Sequence, residues 1–126
     1  MAQQPLNTYK TVVGVVSTTD TEIYRTKTGY TSIVLYAQIA NTALGVGTVT
    51  FIHKRENRSQ SGITTQSTEI LKQGLVPSND AIILLDGRLV LERTAVKTDS
   101  IVMSGISTTI PNHLKYTVSI LETLNQ

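Results

Sequence analysis

The chain has 126 residues, 40% of them hydrophobic and only 16% charged, with no cysteine and a formal net charge of +2 from 11 basic and 9 acidic side chains. That length suits one domain with one core, and the composition excludes a disulfide frame, a thiolate nucleophile, a sulfur-ligated metal and the strongly basic stripe of a phosphate-directed nucleic-acid binder. In place of charge the chain carries Thr, Ser, Val and Ile, whose β-branched members lose rotamer freedom in helices and pack well on a pleated sheet.

The opening "MAQQPLNTYK" lacks the basic start and apolar stretch of a signal peptide, and no run approaches membrane-spanning length, so a soluble protein without a membrane partner is expected. Residues 1–8 carry no charged side chain, and Pro5 favours an extended backbone. They are predicted to form an N-terminal arm, with Gln3, Gln4, Pro5, Leu6, Asn7 and Thr8 as candidate assembly residues, ahead of a single domain over 9–126. Within that domain "TVVGVVS" (11–17) reads as a buried strand, "TTDT" as its turn and "EIYRT" (22–26) as its short partner.

"TSIVLYAQIANT" (31–42) alternates, with Ile33, Leu35, Ala37 and Ile39 on one face and Ser32, Val34, Tyr36 and Gln38 on the other. "ALGVG" interrupts it, and "TVTFIHKR" (48–55) follows with Val49 and Phe51 pointing one way, a pattern that predicts a long antiparallel hairpin. His53, Lys54, Arg55 and Arg58 make a local basic cluster, expected at the solvated end of a hairpin; the alternative is a phosphate-binding patch. After the polar "ENRSQSG", the Thr-rich "ITTQSTEIL" (63–71) reads as an edge strand; the alternative is a helical turn capped by Ser67 or Thr68 and running to Gly74.

In "AIILLDGRLVLE" (81–92) two apolar runs meet at Asp86-Gly87. A type I′ turn needs positive φ at both central residues, which Asp tolerates and Gly adopts freely, so Asp86 and Gly87 are assigned to a hairpin turn. "SIVMSGI" (100–106) is a further strand, "STTIPN" a turn, and "HLKYTVSILE" (113–122) the last strand, with Leu114, Tyr116, Val118 and Ile120 inward. Eight or nine strands with short loops predict an all-β fold, a single antiparallel β-sandwich of jelly-roll or Greek-key type with roughly eight strands and an extended arm.

Catalytic patterns are missing. There is no nucleophile elbow, and "ALGVGTVT" lacks the lysine and the following helix of a phosphate loop. His53 and His113 belong to no metal-ligand motif, and Asp80, Glu92 and Asp99 lack the spacing of a calcium loop. Trp is absent; Tyr24, Tyr30 and Tyr36 read as a packed ladder better than as a stacking platform. The expectation is a non-enzymatic chain with no cofactor, no metal, no nucleic-acid partner and no small-molecule substrate.

The polar arm, "TSIVLYAQIANT" followed by "TVTFIHK", "LLDGRLVLE" and the closing "YTVSILE" together resemble the small β-sandwich virion structural proteins of tailed bacteriophages, especially those of cyanobacterial phages. The likeness runs from about Thr31 onward and rests on core and turn patterns. Relatives of this kind place a Gly-Asp soon after the "LVLE" segment, where this chain has the longer "RTAVKTDSI" and Asp99 in the equivalent place. The resemblance implies a capsid decoration or cement, neck or tail protein, made in the host cytoplasm and located in the virion. Its partners would be further copies of itself, as a homo-oligomer, and other virion proteins. The alternative is a carbohydrate-binding β-sandwich module such as a receptor-binding tip.

Overall fold

The computed structural model describes residues 7–107 and 113–125; of the predicted arm, Gln3, Gln4, Pro5 and Leu6 lie outside these. Nine strands follow one another: β1 (Asn7–Val15), β2 (Thr21–Arg25), β3 (Tyr30–Asn41), β4 (Gly47–Ser59), β5 (Gly62–Val76), β6 (Asp80–Ile83), β7 (Leu89–Leu91), β8 (Lys97–Ser107) and β9 (Leu114–Leu124). They form two antiparallel sheets. One has the order β1-β9-β3-β6, with β7 also on β3; the other has the order β2-β8-β4-β5.

β6 and β7 pair with successive parts of the same side of β3, so they occupy one strand position and each sheet is four positions wide. Counted that way, the first strand pairs with the last, the second with the second-last, and so on inward to the β4–β5 hairpin. The chain is one long double ribbon folded over on itself, closed by the pairings β9–β3 and β8–β4. This is the jelly roll, the form of sandwich in which nearly every connection passes from one sheet to the other.

The inner faces meet in a core of Val34, Ala37, Ile39, Val49, Phe51, Leu91, Ile101, Met103, Val118 and Ile120. The inward set read from the last strand is found there, with Tyr116 partly buried. Val49 and Phe51 are buried as expected, and β5 is an edge strand.

Several expectations are corrected. The alternation in β3 breaks: Ser32 and Val34 point inward, but so do Ala37, Ile39 and Asn41. Val34 opposes Ile120 and Tyr36 opposes Ser119, so Leu35 is the extra residue of a bulge, and one added residue exchanges the faces beyond it. β3 and β4 lie in different sheets and make no hairpin, because the segment after Asn41 carries the chain across the sandwich. Asn41 fastens it by donating to the carbonyls of Gly45 and Val76 and accepting from the Ala43 N–H. β1 is a largely exposed edge strand whose partner is β9, and β2 pairs with β8. The first strand begins at Asn7, so Asn7 and Thr8 of the predicted arm belong to the sheet, opposite Thr123 and Glu122.

Asp86-Gly87 is a bend and not a hairpin turn. The flanking strands do not pair with each other; both run antiparallel to β3, and residues 84–88 step out of the sheet between them. Gly87 has φ +100°, as the reading required, whereas Asp86 is not among the positive-φ residues, so the type I′ geometry is absent. Leu84 explains the detour: its N–H bonds to the Ala37 carbonyl and its side chain is buried, so the segment drops an anchor into the core opposite the β3 bulge.

Candidate assembly surface

Two carboxylates stand on the inner faces at one end of the sandwich. Glu122 continues the inward parity of β9 beyond Ile120 and is 1% exposed. Tyr24, from the opposite sheet, donates its hydroxyl to Glu122 Oε2 at 2.5 Å and lies 2.8 Å from Ser32 Oγ, which is left to donate to the phenolic oxygen. Lys27 reaches Glu122 Oε1 at 3.1 Å. Burial raises the Glu122 carboxyl, but the bonds from Tyr24 and Lys27 outweigh it and hold the group below the usual glutamate range. The Tyr24 hydroxyl is raised, first by burial and then by its bond to Glu122.

Asp99 forms the second cluster. Arg55 grips it with Nε on Oδ1 and Nη2 on Oδ2, each at 2.7 Å, and the Glu92 N–H adds a bond to Oδ2 at 2.8 Å. Arg55 also reaches Glu92 Oε2 at 2.8 Å. Burial opposes ionisation of Asp99, yet the Arg55 and backbone bonds prevail and its pKa is lowered. His53 Nε2 lies 3.4 Å from Asp99 Oδ2 without a hydrogen bond. The basic cluster is therefore divided by strand parity: His53 and Arg55 face inward onto Asp99, while Lys54 faces outward. Arg55 serves an internal ion pair and not a solvated hairpin end. This charge-assisted, bidentate geometry is rigid, and among the described residues no group of three metal-ligating side chains stands together.

The outer surfaces differ sharply. On the β2-β8-β4-β5 sheet, Arg25 bridges Glu22 and Glu56 at 2.7 and 2.9 Å, with Lys54 on the same outward side. On the other sheet, the register places Tyr9, Thr11, Val13 and Val15 of β1 beside Leu121, Ser119, Thr117 and Lys115 of β9. Ile33, Tyr36, Gln38 and Ala40 of β3 come next, then Val90, Ile83 and Ala81. Lys115 is the one charged side chain at an outward strand position of this sheet among the described residues. Tyr9 is 75% exposed, Val13 65%, Ile83 56% and Val90 50%.

Tyr24, Tyr30 and Tyr36 form no ladder: Tyr24 is in the core, Lys27 lies over the Tyr30 ring, and Tyr36 is on the outer face bonded to Gln38. The sequence signal for this face was the strand alternation itself, in which residues between core positions are Thr, Ser, Gln, Tyr and Val where charges would be usual. Reading it required the bulge at Leu35 and the partners of β1, neither of which local pattern supplies. Asp86 and Gly87 sit apart from both ionic clusters, exposed in the β6–β7 detour.

No family model and no curated protein matches the chain. It is similar in fold to a chain in the structure of infectious bursal disease virus Gx strain, with 6% identity and a TM-score of 0.50 over 94% of this chain and 33% of that one. A chain of the Gt strain gives 7% identity and a TM-score of 0.49 over 94% and 33%. A chain of the Bacillus endospore appendages, a family of disulfide-linked pili, gives 10% and 0.47 over 95% and 88%. The chain spans about a third of the length of each of these two bursal disease virus chains, and at 6% identity the likeness to the Gx-strain chain is one of fold.

Proposed function

We propose that this chain is a non-enzymatic structural component of a virion, specifically of a tailed phage, as a capsid decoration or cement, neck or tail protein. It acts by self-association and by docking to other virion proteins. The observation that carries this reading is the outer face of the β1-β9-β3-β6 sheet: a broad, regular surface of apolar and hydroxyl side chains, with Tyr9, Val13, Ile83 and Val90 half exposed or more and Lys115 the one charge at an outward strand position among the described residues. Exposed apolar area of this kind marks protein–protein contact. The ionic clusters behind it stiffen the sandwich, so the surface is presented without reorganisation cost. The jelly-roll topology and the fold likeness to a chain of a virus particle agree with this reading.

Particles banded from lysates of the culture that carries the gene should contain the chain in many copies, seen by mass spectrometry and by immunogold labelling at one position on the particle. Absence from banded particles overturns the proposal, and selective retention of one sugar on a glycan array would favour the receptor-binding alternative.

A further inference from the structure

A sandwich of two open sheets has four edges, each a row of unpaired backbone groups that can capture another strand. Three of them are guarded here. β2 is five residues long, charged at Glu22 and Arg25, and broken in register between Glu22 and Tyr24. The β6/β7 edge is interrupted by residues 84–88. β5 shifts register against Val49 to Ile52, has Gln73 at φ 50°, and carries Glu69 and Lys72; in its regular half Ile63 is the one apolar side chain among Thr, Gln and Ser.

β1 is the least guarded, with no break in register and a single charge. It runs nine residues in unbroken register on β9, holds neither a proline nor a bulge, and has Tyr9, Val13 and Val15 exposed along its outward side. Its one charge, Lys10, is on the inward side, 5.7 Å from the centroid of the Tyr24 ring.

We infer that β1 is the contact edge between two copies of this chain, which pair their β1 strands antiparallel about a two-fold axis at Thr11 and so join two β1-β9-β3-β6 sheets into one. This deepens the self-association part of the proposed function and rests on it. The sequence of β1 suits pairing with itself. A two-fold at Thr11 sets Tyr9 against Val13 of the second copy, an aromatic against a β-branched residue, and keeps outward side chains beside outward ones. Lys10 then meets Val12, whereas an axis at Lys10 would oppose two like charges. The interface is isologous and closes at two copies, and it makes the two charge-poor outer faces continuous.

The test uses the lack of cysteine in the chain. Opposed residues of an antiparallel pair have Cα atoms about 4.5–5.5 Å apart, within disulfide range. Thr11→Cys should therefore cross-link to a covalent dimer under mild oxidation, while Thr64→Cys on the β5 edge should stay monomeric on a denaturing gel. Thr11→Lys sets two ammonium groups face to face and should raise the dimer dissociation constant about tenfold or more in sedimentation velocity. Because Thr11 is exposed, its circular dichroism and melting should match the wild type.

A wild-type chain that sediments as a dimer but fails to cross-link through Cys at 11, or a Thr11→Lys variant that dimerises as well as wild type, overturns the β1 assignment and leaves the virion reading standing. A strict monomer at high micromolar concentration also overturns it. Absence from particles is the separate result that removes the virion reading.

Discussion

The hydroxyl of Tyr24 stands 2.5 Å from Oε2 of Glu122, a contact between side chains 98 residues apart that joins the two sheets through the core. Tyr24→Phe keeps the ring and removes the donor, leaving a buried carboxylate oxygen without its protein partner. The unfolding free energy should fall by about 1–3 kcal/mol in urea titrations at neutral pH. Glu122→Gln still accepts from Tyr24 and should cost less. A Tyr24→Phe variant as stable as wild type would show that the strut contributes nothing.

Stability should decline in acid. Asp99 and Glu122 both have folded pKa values below their ordinary ones, so each contributes stability that is complete above its unfolded pKa of about 4 and is lost as pH falls through the folded value. The urea midpoint should be flat at neutral pH and drop from roughly pH 5 downward. Asp99→Asn should flatten part of that slope and also lower stability at pH 7 by about 3 kcal/mol, since Arg55 loses its bidentate partner. An unchanged slope in Asp99→Asn would show that other carboxylates govern acid unfolding.

Two glycines should respond in the opposite order to the size of the substitution. Gly87→Val meets nothing within 4 Å but must adopt φ +100°, a cost of about 1–2 kcal/mol. Gly105→Ala adds one carbon 2.7 Å from the Thr48 carbonyl oxygen and 3.0 Å from Leu114 and Val16. Backbone cannot turn aside, so this smaller change should cost more, up to about 3 kcal/mol. Asp86→Asn should be close to silent. Thermal melts of the three variants give the ranking, and a Gly105→Ala melt equal to wild type would refute the crowding.

The predicted arm divides at Leu6. Deleting residues 2–6 removes none of the described pairings and should leave the melting temperature unchanged. Deleting 2–8 removes the pairs Asn7↔Thr123 and Thr8↔Glu122, together with the bond from Thr123 Oγ1 to Asn7 Oδ1, and should lower it. If the two truncations melt alike, β1 gains no stability from its first two residues. Weaker assembly after the shorter deletion would assign a role to Gln3, Gln4, Pro5 and Leu6.

Most strands were legible in the sequence because alternation is a local signal, and Leu114, Val118 and Ile120 needed nothing else. What failed was the choice of partners. The strand over 31–42 looked continuous because no single residue announces a bulge; Leu35 is apolar like its neighbours, and only the core on both sides of it reveals the change of face. Asp-Gly between two apolar runs reads as a hairpin, yet a partner strand that can pair with both runs at once wins. Glu122 sat in plain parity with the inward set, but a charged residue at a core position becomes intelligible only once Tyr24 arrives from the other sheet. Arg55 is the same case, since its partner Asp99 lies 44 positions away.

The pairing of first strand with last has a consequence in time. Asn7 and Thr123 are 116 residues apart, and among the described strands β9 is the one that β1 pairs with. On a ribosome β1 emerges first and waits through the synthesis of everything up to β9, while the β4–β5 hairpin can zip as soon as it leaves the exit tunnel. Folding should therefore run from the middle of the chain outward and finish at the seam between its two ends, late and slowly, as expected where distant contacts dominate. Any premature stop before Leu114 leaves β3 without its central neighbour, so truncated products of this gene should aggregate instead of forming partial sandwiches.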